Sequence, residues 1–138
     1  MSIHVLAIDD EADVLHLLEI KLKKAGFKVS TAQDGIEGVE KALAEKPDLM
    51  VVDVMMPGKD GFQVVSEVRE KLGNKSPICI FLTAKGQDAD VMQGLGEGAD
   101  DYIIKPFSPR ELIERIRLTL LRHGKISGSP ETSADSSD

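Results

Sequence analysis

Five short apolar runs punctuate the chain: IHVLAI at 3–8, KVSTA at 28–32, LMVV at 49–52, ICIFL at 78–82 and YII at 102–104. Between them, apolar residues recur three and four apart, the period of a helix packed along one side. Val14, Leu15, Leu18, Leu22 and Ala25 make the first stripe, which stops at Gly26, where a left-handed cap is expected. Ile36, Val39 and Leu43 make the second, ending before Pro47. Phe62, Val65, Val68 and Leu72 make the third, opening near Gly61. The fourth stripe, Val91, Met92 and Leu95, predicts a weak helix, because Gly94 and Gly96 each cost about 1 kcal/mol relative to Ala. The fifth opens on SPRE, with Ser108 as cap, Pro109 in the first turn and Glu111 completing a capping box. It continues through Leu112, Ile113, Ile116 and Leu120.

Strands that are apolar on both faces and alternate with helices predict a parallel sheet buried on each side, a doubly wound α/β sandwich. At 138 residues and 41% hydrophobic, the chain has room for one domain with a sizeable core, expected over residues 1–123. From residue 124 the composition shifts to GKISGSPETSADSSD, too poor in apolar side chains to offset its ordering entropy, so 124–138 is expected as a flexible tail or linker stub. Seventeen basic against 24 acidic residues leave a net charge of −7, which removes any charge-based attraction to nucleic acid or anionic membranes. No run approaches the roughly 18 apolar residues of a membrane span, and MSIHVLAIDD enters a strand without a cleavable signal, so a cytoplasmic protein is expected. Cys79, alone within PICIFL, reads as a small buried hydrophobe and carries no redox expectation.

The chemistry lies where the strands end. LAIDDEAD places Asp9 and Asp10 directly after the first strand, and the third ends in Asp53, the fourth in Thr83 and the fifth in Lys105. In an open α/β sheet those ends converge on the cleft where ligands bind. Three carboxylates gathered there raise one another's pKa unless a cation lies between them, and magnesium, or manganese in its place, suits an all-oxygen set that leaves room for water and substrate oxygens. A metal-bound Asp facing an ammonium and a hydroxyl is equipped for phosphoryl transfer to the carboxylate, with Asp53 as the acceptor.

IDDE, VVDVMMPGKDGF, FLTA and GADDYIIKPFSPREL together resemble the receiver domain of two-component response regulators over about residues 2–122. The resemblance implies a flavodoxin-like five-stranded parallel sheet of order 2-1-3-4-5 with five flanking helices. It further implies that Asp53 takes a phosphoryl group from a sensor histidine kinase or phosphotransfer protein. Asp10, Asp53 and the backbone carbonyl of Met55 would hold magnesium, with Asp9 supporting. Lys105 would pair with the phosphoryl group across a cis bond to Pro106, and Thr83 and Tyr102 would form the switch pair, with small Ala84 leaving the site open. Such a domain is a signalling switch with only slow self-dephosphorylation. It stands alone and acts on a downstream protein, or is a piece of a larger regulator with a DNA-binding or enzymatic effector.

A monomer or weak dimer is expected. Of the charged pairs that tie look-alike regulators together, only Asp101 with Arg115 survives, while Val91 and Gly96 leave Asp100 and Arg117 unmatched. The rival enzyme reading, a magnesium-dependent aspartyl phosphatase, calls for a second acid two residues after the nucleophile, where this chain has Met55. A flavin or nucleotide module would need a phosphate cradle after the first strand, where DDEAD is anionic. GLGEGA at 94–99 follows a helix and precedes a strand, the wrong context for a dinucleotide fingerprint, and His4, His16 and His123 lack metal-ligand spacing.

Overall fold

The computed structural model describes residues 2–84 and 99–126. Its elements run β1 His4–Ile8, α1 Ala12–Lys24, β2 Lys28–Ala32, α2 Gly35–Glu45, β3 Leu49–Asp53, α3 Gly61–Leu72, a short 3-10 turn at Gly73–Lys75, β4 Ile78–Ala84, β5 Asp101–Lys105 and α4 Pro109–Arg122. The five strands are parallel, in the order β2-β1-β3-β4-β5. The helix expected around Val91, Met92 and Leu95 lies outside the described residues, so α4 is the fifth predicted helix. Among the described residues, no helix is long and apolar enough to cross a membrane.

Strand side chains alternate between two cores, which is why the central strands β1, β3 and β4 are apolar on both faces, whereas the edge strand β2, KVSTA, is only partly buried. Val5 and Ala7 of β1, Leu49 and Val51 of β3, and Ile80 and Leu82 of β4 face α1 and α4, meeting Leu15, Leu18, Leu22, Leu112, Ile116 and Leu120. Leu6, Ile8, Met50, Val52, Cys79 and Phe81 face the other way, onto Val39, Ala42, Val64, Val65 and Val68 of α2 and α3. Cys79 is fully buried, and that burial pushes its thiol pKa up to about 12, so it is an inert packing group.

The second helix departs from its sequence pattern. Ile36 was expected beside Val39 and Leu43 on the buried stripe, yet it is 63% exposed. The buried stripe is Gly35, Gly38, Val39 and Ala42 instead. Small residues let α2 lie close on the sheet: a Cβ on Gly38 would come within 2.6 Å of Ile8 Cδ1. An approach that close leaves no room for a large side chain in the first turn.

Candidate functional site

Reversal of winding on either side of β1 opens a cleft at the C-terminal ends of β1 and β3, because the chain leaves those neighbouring strands toward opposite faces of the sheet. Asp53 is the last residue of β3, Asp9 and Asp10 follow β1, and Lys105 ends β5. One oxygen from each of Asp9, Asp10 and Asp53 lies within 4.8 Å of the others. Asp9 and Asp53 are buried, at 0% and 5% exposure, whereas Asp10 is exposed.

The Lys105 ammonium partly balances this charge. Its Nζ donates to Asp9 Oδ2 at 3.0 Å and to Glu11 Oε1 at 3.2 Å, and lies 3.5 Å from Asp53 Oδ1. Asp9 Oδ1 accepts from the Glu11 backbone N–H at 2.9 Å, so both oxygens of this buried carboxylate are engaged. Burial, then the charge of Asp9, pushes the Asp53 pKa from an ordinary 3.8 up to about 7. Lys105 pulls it down, and a hydrogen bond with Asp10 and the Asp10 charge raise it further. Burial pulls the Lys105 pKa down, but the hydrogen bonds to Asp9 and Glu11 and the charges of Asp53 and Asp9 outweigh it and hold the ammonium firmly protonated.

One ammonium therefore leaves the three-carboxylate set short of positive charge. That deficit, together with clustered hard oxygen donors, fits a small divalent cation. The Met55 backbone follows Asp53 by two residues, and its side chain is exposed.

The approach of α3 to the acceptor depends on a missing side chain. A Cβ on Gly61 would sit 2.5 Å from the Asp53 carbonyl oxygen, and the Gly61 N–H donates to Val54 O at 3.0 Å. Asp60 starts that helix with a full capping box, its side chain taking the Gln63 N–H while the Gln63 side chain takes the Asp60 N–H. The Asp60, Gln63 spacing marks this start in the sequence, although the apolar pattern alone placed it only near Gly61.

Thr83 is fully buried one residue beyond Leu82, which pairs with Asp53 across β3 and β4, and its hydroxyl lies 3.4 Å from Ala84 O. Ala84, exposed, pairs in register with Lys105. The Lys105–Pro106 bond is cis. Tyr102 is set apart from the carboxylates: it lies on the edge strand β5, pairs with Phe81 of β4, and packs, half-buried, on the α2 and α3 side. The charged pairs of β5 and α4 close within the chain. Arg115 Nη1 donates to both oxygens of Asp101 at 2.8 Å. Asp100, expected to be unmatched, accepts from the Cys79 N–H at 2.8 Å and from Arg69 at 3.2 Å, and meets His123 Nε2 at 3.1 Å. Counting interface partners alone had hidden these internal ones. Val91 and Gly96 lie outside the described residues.

Residues 5–117 match the family model described as the response regulator receiver domain. Among solved structures, the chemotaxis protein CheY4 of Vibrio cholerae is similar at 32% identity and a TM-score of 0.81, over 87% of this chain and 100% of that one. The receiver domain of the Francisella response regulator 1452 is similar at 31% identity and a TM-score of 0.80, over 88% of this chain and 99% of that one. NtrX of Brucella abortus aligns at 23% identity with a TM-score of 0.80, over 94% of this chain but 31% of its own, and at that identity the likeness is one of fold alone.

Proposed function

Because the chain belongs to the response regulator receiver domain family of two-component systems, we propose that it is a phosphorylation switch whose acceptor is Asp53. The observation that carries this reading is the convergence of Asp9, Asp10 and Asp53 around the Lys105 ammonium at the strand ends. An Asp53 oxygen attacks the phosphorus of a phosphohistidine in line. The donor ring carries a proton on its other nitrogen; the P–N bond breaks, and its electron pair leaves with the ring, which ends as neutral imidazole.

Asp10, Asp53 and the Met55 carbonyl would hold magnesium or manganese, with Asp9 in support. The ion, when bound, supplies positive charge to the phosphoryl oxygens. The chain's own groups do the rest. Lys105 takes a phosphoryl oxygen, and the Thr83 hydroxyl donates to another. Movement of Thr83 vacates space toward which the half-buried Tyr102 ring turns, coupling the site to β5 and α4.

The donor is a sensor histidine kinase or phosphotransfer protein. A groove of about 400 Å³ lined by Val14, Leu17, Leu18, Lys105, Pro106 and Phe107 borders the rim from which a donor must approach. Leu17 and Ile20 are exposed on the same helix. An apolar helix face of the donor protein fits that groove, and a downstream protein or a linked effector domain reads the outcome.

The test is a beryllofluoride titration in magnesium, followed by backbone amide NMR. The reading predicts saturable shifts at Thr83, Tyr102 and Lys105 that are lost in Asp53→Ala. Shifts that persist in that variant, or none in the wild type, would overturn it.

A further inference from the structure

We propose that Glu11 is a positioning residue: its carboxylate occupies the Lys105 ammonium in the resting state and must release it before the switch can turn on. This rests on the phosphoacceptor reading above. An ammonium has three N–H donors, and Lys105 Nζ has three carboxylate neighbours, Asp9 at 3.0 Å, Glu11 at 3.2 Å and Asp53 at 3.5 Å. Two of those donors are hydrogen-bonded, to Asp9 and Glu11, before a phosphoryl group arrives, so one of these contacts must end if Lys105 is to offer that group more than the N–H that faces Asp53.

Burial decides which contact that is. Asp9 is 0% exposed, and without the ammonium its Oδ2 would be left unpaired in the interior. The Asp53 contact is converted rather than lost, because phosphorylation sets new oxygens beside the same ammonium. The Glu11 side chain is 62% exposed, and its carboxylate regains water at little cost. Glu11 is the partner that yields.

The start of α1 points the same way. Glu11 stands at the N-cap, where Ser, Thr, Asp or Asn would bond the first free N–H groups, and its side chain makes no cap hydrogen bond. It reaches instead to a lysine 94 positions away. Its backbone N–H stays tied to Asp9, so the carboxylate can swing off Lys105 without moving the helix. Glu11 thus acts as a built-in competitor for the site that the phosphoryl oxygen will take.

The test compares beryllofluoride affinity in saturating magnesium for the whole chain, by amide NMR since the chain has no Trp. Wild type is set against Glu11→Gln, which keeps the shape and removes the charge, and against Asp13→Asn. Asp13 is an exposed acid in the first turn of α1 that makes no ion pair with Lys105, so this variant controls for bulk charge. Glu11→Gln is expected to bind about two- to fivefold more tightly, the range of one exposed ion pair. Asp13→Asn should gain less than half as much, and the Glu11 gain should vanish in a Lys105→Gln background. Equal affinities for wild type and Glu11→Gln would overturn the proposal, as would an equal gain from Asp13→Asn or a gain that survives without Lys105. A wild type that ignores beryllofluoride would overturn the phosphoacceptor reading itself, a result visible without any Glu11 variant.

Discussion

Asp53→Asn should make the metal-free protein more stable, although it removes the group on which function rests. The rise of the Asp53 pKa from 3.8 to about 7 means that the fold disfavours the ionised carboxylate by about 4 kcal/mol. The pH dependence follows from that direction. Below 3.8 the carboxyl is protonated in folded and unfolded chains alike and contributes nothing. Between 3.8 and about 7 the unfolded chain ionises while the folded one keeps its proton, so stability falls as pH rises. Above that window both forms are ionised and the penalty is complete.

Asparagine is neutral throughout, so the gain from the substitution grows across the window and then levels off. The value of about 7 already contains the opposing pull of Lys105, and relaxation around the ionised group offsets more of the penalty, which leaves an expected net gain of about 1–3 kcal/mol. Urea denaturation in chelator at about pH 5 and about pH 8 measures it, with the larger gain at the higher pH. Magnesium at a thousandfold excess over its Kd should reverse the order, since it then adds about 4.1 kcal/mol to the form that binds it. A variant less stable than wild type at the higher pH without metal would refute the reasoning, as would a gain independent of pH.

Lys105→Ala should accept phosphate poorly and fail to shift Thr83 and Tyr102 when loaded with beryllofluoride. It should also lose about 1–3 kcal/mol in denaturant, because Asp9 Oδ2 is left buried without its partner. Gly61→Ala should cost about 1–3 kcal/mol and slow labelling by acetyl phosphate, since the new methyl strikes the Asp53 carbonyl. The phosphorylated form should last minutes or longer without a partner phosphatase: Met55, two residues after the acceptor, offers no base to activate water, and decay within seconds would contradict this.

The sheet could be read from periodicity because a parallel sheet needs apolar side chains on both faces, and β1 and β3 have five buried residues each. The five polar residues at the strand ends stood out because each interrupts such a run. Ile36 was misplaced because a helical period cannot tell a packed stripe of small residues from one of large residues. Gly38 carries the close approach to β1 without registering as hydrophobic. Glu11 was visible only as a letter in IDDE, since its partner lies 94 residues away and only the parallel order of β1, β3, β4 and β5 brings them together. Asp100 looked unmatched for the same reason: its partners Arg69, Cys79 and His123 are scattered along the sequence.

Phosphate mapping after incubation with acetyl phosphate and magnesium tests the central claim most directly. The wild type should gain about 80 Da, abolished by chelator. Borohydride reduction of the acyl phosphate, followed by fragmentation of the tryptic peptide covering residues 42–59, separates Asp53 from Asp48. The account predicts the mark on Asp53 and none on Asp53→Asn; label on Asp48, on Asp10 or on the Asp53→Asn protein would contradict it.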